Sequence, residues 1–310
     1  MNFNFDFVGR RKWWYALSLL IIIPGLIAMA LHRPVLNFGI DFTGGNIIQV
    51  QFQQPVTAGQ VREVLGGLDL GNSSIQAAGN NEFLIRTTEL NEEQTDQVIG
   101  ALRDKLGQLD LKRNEKVGAT IGRELTIKGI EAMAIAWVLM IIYITIRFEF
   151  LSGLAAILAL IHDVLVTIGF FAIFRWEVDS TFVAAILTII GYSINDTIVI
   201  FDRIRENLRL RKKETIEELV NRSINQSLTR SINTVLTVII ALLALMLLGG
   251  ETTRTFALAM LIGTISGAYS SIFTASPLWI DFRNLSREHH RQAAATKAAT
   301  KAKTRKVTSN

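Results

Sequence analysis

Six apolar runs, each close to the length that crosses a bilayer as a helix, constrain this chain more than any other feature. A helix needs about 20 apolar residues to span the hydrocarbon core. The runs are Trp13–Leu31, Ile130–Ile146, Leu151–Phe174, Thr181–Phe201, Ile232–Leu248 and Thr255–Ile280. Half of the 310 residues are hydrophobic, which is more than a soluble domain of this size carries. We therefore predict a membrane protein with an all-α transmembrane bundle of six helices.

The basic residues predict how these helices are oriented. Residues 10–12 are all basic, the 202–230 segment holds eight Lys or Arg, and the 281–310 tail holds eight more. The two short loops on the other side hold one each, Arg175 and Arg254. Because basic residues accumulate in cytoplasmic loops, we predict that both termini are cytoplasmic. The cytoplasmic parts are then residues 1–12, a basic loop at 202–230 and the tail at 281–310.

The first run has a competing interpretation as a cleaved signal peptide. Residues 28–30 read Ala-Met-Ala after a basic start and an apolar run, which imitates a cleavage site. The run is longer than the usual apolar core of a signal peptide and contains Pro24 and Gly25. We therefore expect residues 13–31 to remain as the first transmembrane helix, followed by residues 32–129 outside the cytoplasm.

The 32–129 segment predicts an α+β domain with the order β-α-β-β-α-β. The predicted elements are a strand at Ile47–Phe52, a helix at Thr57–Leu65, strands at Ser73–Ala77 and Glu82–Thr87 around a Gly79-Asn80-Asn81 turn, a helix at Asn91–Leu106 and a strand at Lys112–Ile121. This is the order of the ferredoxin-like motif. The segment has no pattern typical of a catalytic, metal or cofactor site, so we predict a docking or lever module and not an enzyme.

Two polar groups near the cytoplasmic ends of the fourth and fifth runs form the main candidate site. Asp196 lies about five residues inside the end of its run, and ionisable residues inside a bilayer are costly and usually functional. Arg230, Asn233 and Thr237 follow Gln226 at steps of four, three and four, so they share one helical face. We predict that Arg230 pairs with Asp196. The alternatives are that the pair only fixes helix packing, or that Arg230 reaches lipid phosphates.

Three further patterns give weaker expectations. His162 and Asp163 lie near the middle of the third run, where they form either a second relay or a hydrogen bond to a neighbouring helix. Small residues every four positions in the sixth run predict close helix packing; they are Ala259, Gly263, Gly267, Ser271 and Ala275. Thr215 and Glu218 form a capping-box pattern, which predicts a short helix at the membrane surface.

The tail at 292–310 is rich in Ala, Lys and Thr and lacks apolar periodicity. This composition predicts disorder, with attraction to anionic lipid or ribosomal RNA as a weaker alternative. We expect no specific nucleic-acid partner for the chain.

Three motifs together resemble the SecD/SecF family of protein-export subunits. The first is the sequence GIDFTGG after the first run, in which the marked positions are Gly39, Asp41, Gly44 and Gly45. The second is GYSINDT at 191–197, which includes Asn195 and is followed by FDRIREN at 201–207. The third is NRSINQS at 221–227, which leads to Arg230, and His162-Asp163 also fits. The resemblance covers residues 6 to about 285.

The resemblance implies half of a transporter of the RND superfamily, located in the bacterial cytoplasmic (inner) membrane. Such a subunit pairs with SecD, works beside SecY, SecE and SecG, and uses the proton gradient to promote preprotein translocation. It implies proton passage at Asp196 and Arg230, and no cofactor. Asn195, Asn233 and Thr237 join His162 and Asp163 as possible relay or packing groups. The alternatives are a subunit of an RND-type exporter of small molecules or lipids, and a translocon scaffold that conducts no protons.

Overall fold

The structure, a computed structural model, describes residues 5–79, 81–147, 149–211, 213–249 and 251–288. The tail at 292–310 and Asn80 of the predicted turn therefore lie outside the described residues. The chain forms two compact units. The sheet unit comprises Leu36–Ile135 and Arg175–Val183, and the helical unit comprises the residues up to Val35, Ala136–Phe174 and the residues from Ala184 onward.

The helices and strands are numbered here in the order in which they occur along the chain. The elements are α1 (Arg11–Leu31), β1 (Asn37–Phe38), α2 (Ile40–Thr43), β2 (Gly45–Phe52), α3 (Ala58–Gly66), β3 (Ser74–Gly79), β4 (Glu82–Thr87), α4 (Glu92–Leu106), β5 (Leu109–Val117), α5 (Ala119–Arg147), α6 (Phe150–Phe174), β6 (Glu177–Val178), α7 (Ser180–Arg209), α8 (Ile216–Leu248) and α9 (Glu251–Ser270). A π-helical turn, Ser271–Ala275, joins α9 to a last helix, α10, at 276–288.

The sheet unit contains an antiparallel sheet of four strands in the order β3-β4-β2-β5. The predicted order β-α-β-β-α-β is therefore observed from β2 to β5. The core is built from the apolar side of β2 and β4 and from the apolar faces of α3 and α4; its fully buried members include Ile48, Val50, Val61, Leu65, Ile85 and Leu102. Both helices begin with capping boxes, at Thr57 and at the predicted cap Asn91.

The predicted last strand was displaced. We expected a strand at Lys112–Ile121, whereas β5 covers Leu109–Val117 and α5 begins at Ala119. The bounds of β5 are set by its partner β2, with Phe52 opposite Leu109 and Gly45 opposite Val117. The pattern within one strand does not contain this long-range register.

The predicted domain boundary at 32–129 also differs from the sheet unit. This unit extends to Ile135 and takes in Arg175–Val183, which is the connection between α6 and α7 together with the first turn of α7. In that connection, β6 pairs in parallel with β1, so that Phe38 lies opposite Val178. A two-residue strand carries no sequence periodicity, and the pairing was therefore not predicted.

Six helices of the chain are long and apolar enough to cross a membrane, as predicted. They are Arg11–Leu31, Thr126–Arg147, Phe150–Phe174, Ser180–Arg209, Ile216–Leu248 and Thr253–Glu288. Large apolar residues on α1, α5 and α8, such as Leu20, Ile130 and Ile240, are exposed, as expected of side chains that face lipid.

The segment predicted as a basic loop at 202–230 is mostly helical. Helix α7 continues to Arg209, and α8 runs unbroken from Ile216 to Leu248. The separate surface helix predicted after Thr215 was wrong. The capping box at Thr215 and Glu218 does begin a helix, but no Gly or Pro between Ile216 and Leu248 ends it.

Glycines allow the helices of the helical unit to approach closely. A Cβ on Gly25 of α1 would lie 2.6 Å from the Cα of Gly169 in α6. Gly263 of α9 lies against the side chain of Ile189, and a Cβ on Gly267 would lie 3.0 Å from the Cβ of Ser193. The predicted stripe of small residues in the sixth run therefore packs against α7, which brings the polar residues of both helices together.

Candidate functional site

Asp163 of α6 is fully buried, and four polar groups surround its carboxylate. Its oxygens accept hydrogen bonds from the hydroxyls of Ser193 at 2.6 Å and of Ser266 and Ser270 at 2.7 Å. The Nδ1 atom of His162 lies 3.0 Å from Oδ1. Ser193 belongs to α7 and the other two serines to α9, so this carboxylate joins three helices.

A second hydroxyl bridge lies one turn further along α7. The hydroxyls of Thr197 and Ser271 are 2.7 Å apart, and Ser271 is the first residue of the π-helical turn. Such turns are rare inside α-helices, and those that do occur are often at functional sites. Helix α7 thus contacts the sixth span through Asp163 at Ser193 and directly at Thr197.

His162 connects this network to Tyr269 of α9. While its Nδ1 faces Asp163, its ring stacks on that of Tyr269 with a centroid distance of 5.8 Å, and the Tyr269 hydroxyl donates to the carbonyl of Trp14 in α1 at 2.7 Å. The Nε2 atom of His162 is buried, and no described residue forms a hydrogen bond with it.

Asp196, the main predicted site residue, has a less complete environment. It is half-buried in α7, and its Oδ1 accepts a hydrogen bond of 2.7 Å from the hydroxyl of Ser231 in α8. Its Oδ2 is buried and has no hydrogen-bond partner among the described residues. The hydroxyl of Tyr192, one turn earlier on α7, is likewise buried without a partner in the described part of the chain.

The direct pair predicted between Asp196 and Arg230 does not form. Arg230 is near enough for its charge to act on Asp196, but no ion pair or hydrogen bond between these two described residues is present. The reason is helical phase, because consecutive residues lie about 100° apart around a helix axis. Ser223, Ser227 and Ser231 are buried at steps of four, and Arg230 lies beside that row.

The polar face predicted on the fifth span is exposed on this chain. Arg230, Asn233 and Thr237 of α8 are all exposed, and so is Asn195 of α7. We expected that this face would not meet lipid. Within this chain alone nothing among the described residues covers it, which leaves a polar surface on two helices that are apolar enough to cross a membrane.

The glycine-containing motif forms a turn in the sheet unit that holds the start of α7. The Oδ2 atom of Asp41 accepts two hydrogen bonds from Ser180, one from the backbone N–H at 2.9 Å and one from the hydroxyl at 2.6 Å. Ser180 is the first residue of α7. The backbone N–H of Gly39 donates to the carbonyl of Val178 at 2.8 Å. We call these contacts the motif clamp.

The glycines of the motif are required by close approach and by backbone conformation. A Cβ on Gly39 would lie 2.5 Å from the carboxylate of Glu177, which forms an ion pair with Arg86 of β4. Gly45 has φ +133°, and a Cβ there would overlap the carbonyl oxygen of Thr87. Gly44 has φ +71°, a left-handed conformation that glycine adopts without strain.

Comparison with known protein families identifies the group to which this architecture belongs. The family model described as protein export membrane protein SecD/SecF, C-terminal, matches residues 97–285, and the model of the SecD/SecF GG motif matches residues 31–56. The chain belongs to the SecD/SecF family. Gly39 and Asp41 of the motif clamp lie in the segment matched by the GG-motif model, and the carboxylates Asp163 and Asp196 lie in the segment matched by the C-terminal model.

Relatives in the SecD/SecF family place the chain on the SecF side. It is 45% identical over 284 residues to protein translocase subunit SecF of Magnetococcus marinus, covering 89% of this chain and 91% of that protein. It is also 45% identical over 288 residues to SecF of Acidaminococcus fermentans, covering 90% and 98%. The chain is thus a SecF-type subunit of the protein translocase.

A solved structure shows the same fold in a longer protein. The translocon-associated membrane protein SecDF of Thermus thermophilus is 35% identical and superimposes with a TM-score of 0.84. The match covers 91% of this chain and 39% of SecDF, so the chain spans about two fifths of that protein. A second SecDF structure, in a super-membrane-facing form, matches with a TM-score of 0.70.

Several residues of the site were not predicted from the sequence. Ser266 and Ser270 are spaced by four, like the small-residue stripe, but lie one position away from it. Ser231 was overlooked because Arg230 beside it is charged. Serine has two roles in a membrane helix, as a small residue and as a hydrogen-bond donor, and only the first was considered.

The serine network around Asp163 can be tested by removing its members separately. We expect Asp163→Ala to lower the free energy of unfolding by at least about 2 kcal/mol, because three buried hydroxyls lose their acceptor. Ser266→Ala and Ser270→Ala should each cost about 0.6 kcal/mol, the average for a hydrogen bond between membrane helices. Thermal unfolding of the purified chain in detergent measures these differences.

Asp104→Ala provides the control, since Asp104 is exposed on α4. If Asp163→Ala unfolds at the same temperature as this control, Asp163 does not hold the three helices together.

Proposed function

We propose that this chain works with a SecD-type partner, beside a SecY/SecE/SecG translocon, and uses the proton gradient to promote preprotein translocation. The observation that carries the proposal is Asp196, an acid in a membrane-spanning helix with one buried oxygen that has no partner among the described residues. The relatives are named as translocase subunits, which supports a transport role and not a catalytic one.

Asp196 is suited to two states that differ by one proton. The ionised carboxylate is stabilised by the hydroxyl of Ser231 and by the positive charge of Arg230. After protonation the attraction to Arg230 is lost, and α7 and α8 can separate at lower cost. Each protonation state then favours a different arrangement of these helices. Asp163, with its four neighbours, is in this proposal a packing group that keeps α7 in place.

The exposed polar face supports a partner inside the membrane. Asn195, Arg230, Asn233 and Thr237 would be costly to expose to hydrocarbon, and the membrane helices of a second subunit could cover them. A SecD-type subunit is the partner that the family implies, and the longer SecDF chain that matches this one has room for a second set of helices. We therefore place the interface with the partner on this face.

The sheet unit is in this proposal a ferredoxin-like module outside the cytoplasm. Its strand order β3-β4-β2-β5, with α3 and α4 as crossovers, supports the ferredoxin-like assignment. The distribution of Lys and Arg supports cytoplasmic termini and an outer sheet unit. The charge distribution and the SecF relatives together support a location in the bacterial cytoplasmic membrane with both termini inside.

Helix α7 is the proposed connection between the proton site and the sheet unit. Its first residue, Ser180, is held by Asp41 of the motif clamp, and Asp196 follows 16 residues later on the same helix. This separation is about 24 Å along the axis, from a rise of about 1.5 Å per residue. The clamp supports this route, because the residue that Asp41 holds belongs to the same helix as Asp196.

The proposed orientation predicts opposite accessibility of two positions. The chain contains no cysteine, so single cysteines can be introduced at exposed Ala77 in β3 and at Ser286 in α10. We expect an impermeant thiol reagent to label Ala77→Cys from outside intact cells and Ser286→Cys only in inverted vesicles. Labelling of both from the same side would contradict the six-span arrangement.

The proton-carrier role predicts the effect of Asp196→Asn. This change keeps the size and polarity of the side chain but removes the titration, so we expect folding and pairing to persist while the stimulation of translocation by the proton gradient is lost. Arg230→Ala should act similarly, whereas Arg230→Lys should retain part of the stimulation because the charge remains. Preprotein translocation into inverted vesicles, with and without a gradient, measures this.

Asp104→Asn serves as the control for the same chemical change at an exposed acid. If Asp196→Asn responds to the gradient like the wild type at equal abundance, Asp196 is not the proton carrier and a scaffold role takes its place.

The motif clamp predicts that coupling can be lost while the proton site is intact. Asp41→Ala removes the acceptor of the two hydrogen bonds from Ser180, and we expect gradient-driven translocation to fall, whereas proton flux through the vesicle membrane persists. Asp41→Asn should keep most of the function because its amide oxygen can still accept hydrogen bonds from Ser180. Asp110→Ala, an exposed acid on β5 of the same unit, is the control. Full translocation by Asp41→Ala would exclude the clamp from coupling.

A further inference from the structure

A cavity opens at the end of the helical unit where α5 ends and α6 begins. Its volume is about 370 Å³, and its lining combines apolar residues with arginines. Ile146, Phe201 and Leu208 contribute apolar surface, and Arg147 and Arg205 contribute charge. A smaller cavity of about 260 Å³ shares both arginines and adds Arg209 on the next turn of α7.

The arginines around these cavities are only partly neutralised. Arg147 binds Asp202 at 3.1 Å, and Glu206 binds Arg203 at 2.8 Å. These two acids are therefore already paired. Arg205 and Arg209 are both exposed, and neither forms an ion pair with any residue that the structure describes. The cavities thus carry surplus positive charge, and Glu149, which also lines the larger cavity, forms no ion pair with the residues that the structure describes.

A buried hydrogen-bond donor also lines the larger cavity. Trp279 is 2% exposed, and its indole Nε1 is buried and has no hydrogen-bond partner within the described residues. A buried donor without an acceptor is costly. The guanidinium of Arg283 lies over the Trp279 ring, 5.0 Å from the ring centroid. The positive charge of Arg283 also acts on Glu149 and offsets part of the negative charge of that acid.

We propose that this cavity binds the phosphate of an anionic phospholipid head group. Arg205 and Arg209 would bind the phosphate oxygens, and the Trp279 N–H would donate to one of them. This ligand satisfies each feature of the site, because a phosphodiester accepts charge-assisted hydrogen bonds from arginine while the acyl chains meet the apolar lining. A soluble phosphate would leave that apolar lining uncovered. Basic pockets between membrane helices are known to hold lipid head groups.

The lipid is expected to be phosphatidylglycerol or another lipid with net negative charge. A zwitterionic lipid carries its own cation, which would lie among the arginines. Neither Asp196 nor any residue of the motif clamp lines these cavities, so the proposal does not depend on proton coupling.

The test measures lipid binding to the purified full-length chain. Delipidated protein in a neutral detergent is titrated with phosphatidylglycerol, with phosphatidylcholine and with inorganic phosphate, and bound lipid is counted by native mass spectrometry. We expect phosphatidylglycerol to bind preferentially. The double variant Arg205→Gln/Arg209→Gln should weaken that binding by at least about tenfold, since a hydrogen bond to a charged group contributes this much.

Two further variants test the role of the Trp279 N–H and control for the loss of an arginine elsewhere. Trp279→Phe keeps the aromatic ring but removes the N–H, and should weaken binding by less than the double variant. Arg62→Gln removes an exposed arginine of α3, remote in sequence, and should leave binding unchanged. If Trp279→Phe does not fold, the arginine variants alone decide the outcome.

Three results would overturn the proposal. They are equal binding of phosphatidylglycerol by the wild type and the double variant, equal binding of phosphatidylcholine and phosphatidylglycerol, and competition by inorganic phosphate at the same concentration as the lipid. The first result would show that the arginines do not bind the lipid. The second and third would show that the ligand is not an anionic lipid.

Discussion

The carboxylate of Asp163 imposes the constraint on which the helical unit depends. An acid in the interior of a membrane protein must have its oxygens hydrogen-bonded, because no water is available to solvate them. Serines on two other helices meet this requirement. The glycines of α9 make it possible, since the backbones of α7 and α9 must be close for such short side chains to reach Asp163. Small residues and polar residues therefore act together.

Helix α7 also carries an acid, Asp196, whose carboxylate is only partly hydrogen-bonded by the described residues. Ser193 of α7 donates to Asp163, and three residues later Asp196 has a single hydroxyl donor. A fully hydrogen-bonded network stiffens its surroundings. In the proposed function, helix α7 combines this fixed contact with a group whose protonation alters the contact to α8, and its first residue is held by Asp41. Under that proposal a proton event is transmitted along one helix.

Much of the fold was predictable because its signals are local. The six spans follow from runs of apolar residues, and the β-α-β-β-α-β order follows from short periodic segments with caps such as Asn91. The short strand β6 and the bounds of β5 depend on pairing between distant segments, which no local pattern contains. The continuity of α8 was missed because its polar first half resembles a surface helix.

The candidate site was predictable in its residue types but not in its contacts. Asp196 and Asp163 stand out in sequence because acids are rare inside membrane spans. Their partners depend on helix rotation, and a shift of one residue, about 100°, replaces Arg230 with Ser231 as the group that reaches Asp196. The sequence could not show that the polar face of α8 is exposed on this chain, because Arg230, Asn233 and Thr237 would be equally suited to a buried face. Only the three-dimensional packing distinguishes the two.

The central claim is that Asp196 gains and loses a proton inside the membrane. Infrared difference spectroscopy of the carboxyl C=O stretch, recorded between acidic and alkaline pH on the full-length chain in lipid, tests it most directly. The account predicts a protonated-carboxyl band from within the membrane that disappears in Asp196→Asn and persists in the control Asp104→Asn, a change at an exposed acid. A band that persists unchanged in Asp196→Asn would contradict it.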